Sequence, residues 1–599
     1  SGSYLSNPAG KGNADLSGRL VRADARAMWR YIPRFAPNTQ RWLKRALVRG
    51  SAEDVQFRLN GPLDRFPFRD GAGGRFEVVS KVRDVTLAYA PGWPAVEGID
   101  ATVAFRGASM EIEAAAGRTL GIEVGRTRAS IPALGNRQEH LILEGQGSGS
   151  IADFLRFIEA SPVAAYTNGI TGKMRGAGTG RLRIDFDMPL HRARDVKLAG
   201  SFDFSARELQ VDPRVPPLSE AQAIVEFSEK SVAIRDGRAW LHGSALDFSG
   251  STQKDGAVVM ALGGRIDAAG LQRSIGSEFA RGIDGETEWK AGLAIRKGIS
   301  TLWIESSLAG LALRMPPPLA KPPESALSFR LELLDQPGAG GQVSAALGDL
   351  GTARLALERG TISRGEVRFG GQAALPRREG LVLAGRIDAI DVDAWRKWLA
   401  RGSQRNGASL SALDLSVGRL MLAGRKFQGM RLRGERAGGG WQLSLDSREA
   451  AGTLAWQDGE TDRLSARFST LLIPSLESEV RPKEAARGPG ENLPGLDVIA
   501  ENFVFEGKNL GRLELTASPA ADSWQLERLA VSNPDGRLDV SGKWFFTEPP
   551  TTELEVRIEA SDAGKLLARL GYNEGVMGAK GSLSGPVKWI GAPYRVDLA

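Results

Sequence analysis

Histidines, carboxylate pairs and glycine-rich loops are the places where this chain could carry bond chemistry. Histidine occurs three times, at His140, His191 and His242. None lies in a His-Glu-x-x-His or other paired spacing, so a metal would find one ligand where it needs several. A strand-end or surface role reads better for each. Carboxylates pair at i, i+2 in "DFD" (185–187) and "DVD" (391–393). The first pair falls on the polar side of a strand, the second at a helix start where acids suit the dipole. Solvated faces account for both more simply than a metal site or a glycosidase pair. "GQGSGS" (145–150) precedes a helix as phosphate loops do, yet it lacks the P-loop Lys and the full G-x-G-x-x-G spacing. It reads as a strand-to-helix turn. There is no G-x-S-x-G elbow and no cysteine, so neither disulfides nor thiolate metal ligands exist. No cofactor or metal is implied, and catalysis is the weakest of the functional readings.

The elements that must position any site are strands. In "LRIDFDMPL" (182–190), Leu182, Ile184, Phe186 and Met188 point one way, while Arg183, Asp185 and Asp187 point the other. The same alternation recurs at Ile99, Ala101, Val103 and Phe105. It returns at Leu327, Phe329, Leu331 and Leu333, and at Leu554, Val556 and Ile558. Shorter cases are Phe202/Phe204, Leu355/Leu357, Leu413/Leu415/Val417, Leu443/Leu445, Leu513/Leu515 and Leu538/Val540. Turns such as "RDG" (235–237), "EGK" (506–508) and "SNPDG" (532–536) separate them. Connections this short predict mostly antiparallel meanders. The 74 glycines follow no collagen period and point to many tight turns.

Helices are few. "NTQRWLKRALVRG" predicts a helix over 38–50 and "SIADFLRFIEASP" one over 150–162, capped by Ser150 and stopped by Pro162. A loose repeat joins a strand ending Arg-Ile-acid-Ala to a short amphipathic helix. It appears in "GRIDAAGLQRSIG" (264–276), "GRIDAIDVDAWRKWL" (385–399) and "VRIEASDAGKLLARLG" (556–571). Two further segments, 441–456 and 524–544, read as hairpins bracketed by tryptophans. The Pro-rich stretches 315–325 and 481–495 read as loops or joints.

A chain of 599 residues with 42% hydrophobic and 25% charged residues is ordered, and long enough for several domains or one elongated architecture. At roughly 12 residues per strand and turn it holds on the order of 40 strands. As one sheet at about 4.8 Å spacing they would run roughly 190 Å. Its apolar face would far exceed the few hundred Å² a soluble monomer leaves bare. Half a dozen short helices cannot cover it, so either sheets face one another or something else occupies the face. Net charge is only +7, without a basic block interleaved with aromatics, which argues against a nucleic-acid partner. No run of about 18 apolar residues exists. The chain opens without Met or a signal peptide and stops inside an apparent strand. It reads as an excerpt whose export signal or anchor lies elsewhere.

One stretch is distinctive: "GPLDRFPF" (61–68) followed by "LAYAPGWPAVEGIDATVAFRGASMEI" (87–112). With "RYIPRF…RWLKRAL" upstream and "FIEASPV" (157–163), it resembles the AsmA-like YhdP family of Gram-negative bacteria. "GKLLARLGY…GSLSGPVKWIGAP" (564–593) resembles that family's AsmA-type C-terminal region, cut short. The family's membrane-anchoring helix and extreme C-terminus have no counterpart here. The resemblance implies a mostly β, elongated, twisted antiparallel sheet curled into a hydrophobic groove. It implies a periplasmic bridge, anchored in the inner membrane by a segment absent from this chain and reaching toward the outer membrane. Such a bridge conducts phospholipids whose acyl chains lie in the groove, and envelope proteins are possible further partners. The implied organisation is 1–320 as central groove modules, with helices near 38–50, 150–162 and 268–280. Further modules follow over 321–490 with a helix near 391–400, then the truncated AsmA-like region over 491–599.

The residues expected to line such a groove are Val103, Phe105, Leu182, Ile184, Phe186, Leu327, Phe329, Leu331, Leu554, Val556 and Ile558. The competing fate for each is burial beneath a helix or an opposing strand. The helices either plug or rim the groove, or cap sheet ends. The alternative function is a scaffold or assembly factor for outer-membrane proteins, as for the related TamB-like proteins, receiving β-strands at a groove or free edge. An enzyme acting on envelope polysaccharide would need a carboxylate pair in one cleft.

Overall fold

In the computed structural model the described residues are 1–7, 10–32, 37–69, 71, 73–136, 138–166, 170–192, 195–213, 215–276, 282–296, 299–336, 340–399, 409–459, 462–476, 493–572 and 578–591. They form 34 strands and a few short helices, so the fold is mostly β as expected. Strands are longer than the sequence estimate assumed, up to the 16 residues of Leu47–Pro62, which is why there are fewer of them. The chain divides into two compact units, Ser1–Ala280 with Glu286–Ser306, and Arg281–Gly285 with Ser307–Ala599.

In the first unit, strands follow one another as an antiparallel meander from Gly2–Leu5 to Ile299–Ser306. Alternating exposure drives it. In Arg175–Pro189, Arg181, Arg183 and Asp185 are exposed while Leu182, Ile184 and Phe186 are half-buried. The second unit is a mixed sheet. Thr361–Phe369, Gly380–Asp391 and Leu410–Leu422 run parallel, and so do Arg463–Ile473 and Gly495–Phe505. Parallel neighbours need a crossover. The helix Val392–Leu399 lies in one, and apart from these three joints the pairing is antiparallel, in keeping with the mostly antiparallel meanders expected.

Helix starts follow a shared rule. Asp267, Asp391 and Asp562 each accept from the backbone N–H three residues on, at 2.7, 2.8 and 3.1 Å. Ser150 does the same for Ile151–Glu159, at 3.1 Å from the Asp153 amide. The helix expected over 38–50 is shorter, Pro37–Ala46, because Leu47 and Arg49 pair with Leu87 and Thr86 as strand. Trp42 anchors it by donating to the Tyr89 carbonyl at 2.9 Å. Helices are observed at Ala268–Ile275 and Val392–Leu399; residues 277–280, 400 and 481–492 of the predicted segments lie outside the described residues, as do 592–599.

"GQGSGS" is strand, and the expected turn does not occur there: His140–Ser150 pairs along its length with Arg175–Pro189, itself glycine-rich at Gly176, Gly178 and Gly180. Glycine is needed because neighbours press close. A Cβ at Gly176 would meet Ile151 at 2.7 Å and one at Gly180 would meet the Phe202 ring at 2.3 Å.

Candidate functional site

The polar candidates resolve into local structure. His140 Nδ1 lies 2.6 Å from Asp187 at the strand end where the two residues' strands pair. His191 sits 3.5 Å from Glu139 and is exposed. His242 occupies a hairpin turn at φ +52, its carbonyl accepting from Arg273. Burial and the Arg273 charge hold its imidazole below the ordinary 6.5. Asp185 is exposed and Asp393 accepts from the Gly424 amide at 3.0 Å. No group of three or more metal-ligating side chains occurs among the described residues.

The apolar faces behave differently. In the second unit, strand register aligns them into rows that cross sixteen successive strands. One row begins with Leu331, Ala345, Ala353, Val367 and Leu383. It continues through Leu413, Gly434, Leu443, Leu454 and Ala466. It ends with Val498, Leu515, Leu529, Val540, Val556 and Gly585. A second row, two residues along each strand, starts at Phe329 and Leu347 and ends with Leu538, Ile558 and Leu583. Between those ends it passes Phe369, Leu415, Leu445 and Phe468, again with only apolar residues or glycine. Leu554 lies on a third row with Leu464, Leu496 and Leu526. The opposite face carries ion pairs such as Arg433–Asp414 and Arg528–Glu514, each at 3.2 Å.

The first unit repeats the arrangement on a smaller scale. Val103 and Phe186 belong to one row, Val103–Ile112–Ala129–Leu143–Phe186–Leu198. Leu182 joins Gly147, Phe202, Val225 and Ile234, while Ile184 joins Gly145, Gly200 and Phe227. Phe105 aligns with Val78, Met110 and Ile131. Ten of the eleven nominated residues thus sit on strands, on the apolar face of their unit. Leu327 does not: the strand begins at Phe329, and Leu327 precedes it with its amide donating to the Ser307 carbonyl at 2.7 Å.

All eleven are half-buried, and none is among the sealed core residues. The cover that exists is partial. Helix Ile151–Glu159 lies over one end of the first unit's face, where Phe154 meets Phe202 edge-on with centroids 4.7 Å apart. In the second unit the largest apolar cluster draws its members from strands of the sheet and none from a helix. Val392–Leu399 instead caps a strand end, with Trp395 donating to the Pro317 carbonyl at 2.8 Å.

The sequence reading passed over the middle of the rows. Leu413, Leu443, Leu515 and Val540 showed the same alternation, but only register reveals that they continue the line between Leu331 and Val556. Glycines such as Gly147 and Gly434 gave no signal as part of an apolar surface.

Among known proteins, the chain is similar to the intermembrane phospholipid transporter YhdP of Escherichia coli (strain K12), with 19% identity over 629 aligned residues. The match takes in 96% of this chain and 47% of that protein, so the chain spans about half of its relative's length. No solved structure matches. The YhdP protein family model matches residues 1–599, end to end, and the chain therefore belongs to the YhdP family.

Proposed function

We propose that the chain is part of a periplasmic bridge that conducts phospholipids between inner and outer membrane, their acyl chains lying on the apolar rows. The observation that carries this reading is the pair of rows crossing sixteen strands with no charged residue, whose main cluster draws on no helix among the described residues. The relative's name, an intermembrane phospholipid transporter, supplies the cargo. Among the described residues no helix is long and apolar enough to cross a membrane.

Transfer along such rows is physical. Removing an acyl CH₂ from water is favourable by about 0.8 kcal/mol, so a chain leaves the surface reluctantly. Stepping from one strand to the next, about 4.8 Å, exchanges like for like. Leucine, valine, alanine and glycine repeat without a deep pocket to trap the cargo, so movement along the row costs little while departure costs much. Val103, Phe105, Leu182, Ile184 and Phe186 line the rows of the first unit, and Phe329, Leu331, Leu554, Val556 and Ile558 those of the second, with Leu327 at the margin of the latter.

Native mass spectrometry of the purified chain should show bound phospholipid, and vesicle-to-vesicle transfer should fail in Phe186→Asp and Phe329→Asp while circular dichroism stays native. Variants that unfold outright would make these residues structural core and remove the basis of the reading. The competing use, a scaffold that receives β-strands, predicts cross-links from nascent barrel strands at a sheet edge and no lipid adducts on the rows.

A further inference from the structure

We propose that a tryptophan-bearing edge of the second unit's apolar face sets the depth of the bound lipid, holding its ester groups level with the indoles and its acyl chains on the rows beyond. This rests on the conduit reading above. Trp441 pairs directly with Trp456, and Trp524 with Trp544, all toward one edge of the face. On their strands Trp441 and Trp456 share a side with Leu443, Leu445 and Leu454, so each indole is the last apolar group before the edge.

What lies outside them is polar and already arranged. Arg436 faces Trp441 across the strand pair and binds Asp458 at 2.6 Å. The other oxygen of that carboxylate accepts from Trp456 Nε1 at 3.1 Å. Trp524 donates to the Pro494 carbonyl at 3.2 Å while its ring packs against the cluster of Ala517, Leu526 and Val540. Trp456 and Trp524 thus each present an apolar body to the rows and direct the N–H at a polar partner, the arrangement that places tryptophan at membrane–water boundaries. From Trp441 to Leu445 the strand advances about 13 Å. One leaflet of hydrocarbon is about 15 Å deep. An acyl chain whose ester end is level with Trp441 and Trp456 therefore reaches across the rows of Leu443 and Leu445. At this edge Arg436 is already paired with Asp458 and Arg378 with Glu435, so it is the indoles that set the depth.

The test loads the whole chain with phosphatidylcholine carrying a nitroxide either near the ester end or near the methyl end of one acyl chain, and reads tryptophan fluorescence. With 13 tryptophans present, the informative signal is the difference between wild type and W441F/W456F/W524F. That difference should be quenched mainly by the ester-end probe. Adding Leu445→Trp in the triple variant should create a signal quenched mainly by the methyl-end probe. Equal quenching of the edge tryptophans by both probes, or stronger quenching by the methyl-end probe, overturns the proposal. Absence of bound lipid in the wild type would instead sink the conduit reading itself.

Discussion

At the scale of single residues, two polar groups illustrate how this sheet tolerates what its composition makes costly. Lys321 is only 7% exposed, yet its ammonium donates to the carbonyls of Leu311, Pro322 and Ser325 at 2.7, 3.0 and 2.6 Å. Three carbonyls satisfy three donors and tie down the Pro-rich loop. Lys321→Met should strand those acceptors and lower stability by about 2–3 kcal/mol in urea unfolding. His242 makes a pH prediction. Its folded value lies below the ordinary 6.5 because of burial and Arg273, so as pH falls through 6.5 the unfolded chain takes up the proton first. Stability should drop over that window and level off below the folded value, and His242→Gln should lose this part of the pH dependence. Neither role was visible in sequence, where His242 was one of three isolated histidines and Lys321 a charge among prolines. Lys321 depends on carbonyls brought in by loop geometry and His242 on burial and on Arg273, which lies 31 residues away in the chain.

Elements show what local chemistry can and cannot specify. The strand-to-helix repeat was legible from its Arg-Ile-acid-Ala strand end and the amphipathic run after it, and the structure adds local caps at Asp267, Asp391 and Asp562, each bonded three positions on. The glycine-rich strand His140–Ser150 was misread as a turn because the reason for its glycines lies on a neighbouring strand, where Ile122 would stand 3.3 Å from a Cβ at Gly147 or Gly149. Phe202 lies across Gly180, where a Cβ would approach within 2.3 Å, and Phe227 lies across Gly200, where it would approach within 2.4 Å. Glycine beneath an aromatic ring keeps the apolar floor low. Gly180→Ala should lift the Phe202 ring and destabilise by about 1–3 kcal/mol, and most of that cost should vanish in a Phe202→Leu background. A double-mutant cycle in urea reads the coupling directly, and additive effects would dissociate the two residues.

For each unit as a whole, the question is what lies on the apolar rows. Phe329 and Ile558 belong to one register line and Leu331 and Val556 to another, with the line between them free of charge. On the proposed conduit a charge placed mid-row should act as severely as one at the ends, since cargo moving along the row would meet it. Leu443→Asp should therefore abolish lipid transfer as completely as Phe329→Asp, although Leu443 is only half-buried and the fold should persist. Retained transfer in a folded Leu443→Asp protein would show that the rows are not a path.

Sequence by itself determined that this is a strand protein with one greasy side and one wet side, because a period of two is written in neighbouring residues and needs no partner to be read. It also marked the helix starts, whose caps act over three or four positions. Tertiary structure alone decided which strands run parallel, where glycine serves as floor, and that faces from sixteen strands fall into common lines. Those outcomes depend on register between segments far apart in the chain, and a slip of one residue would have turned each face over.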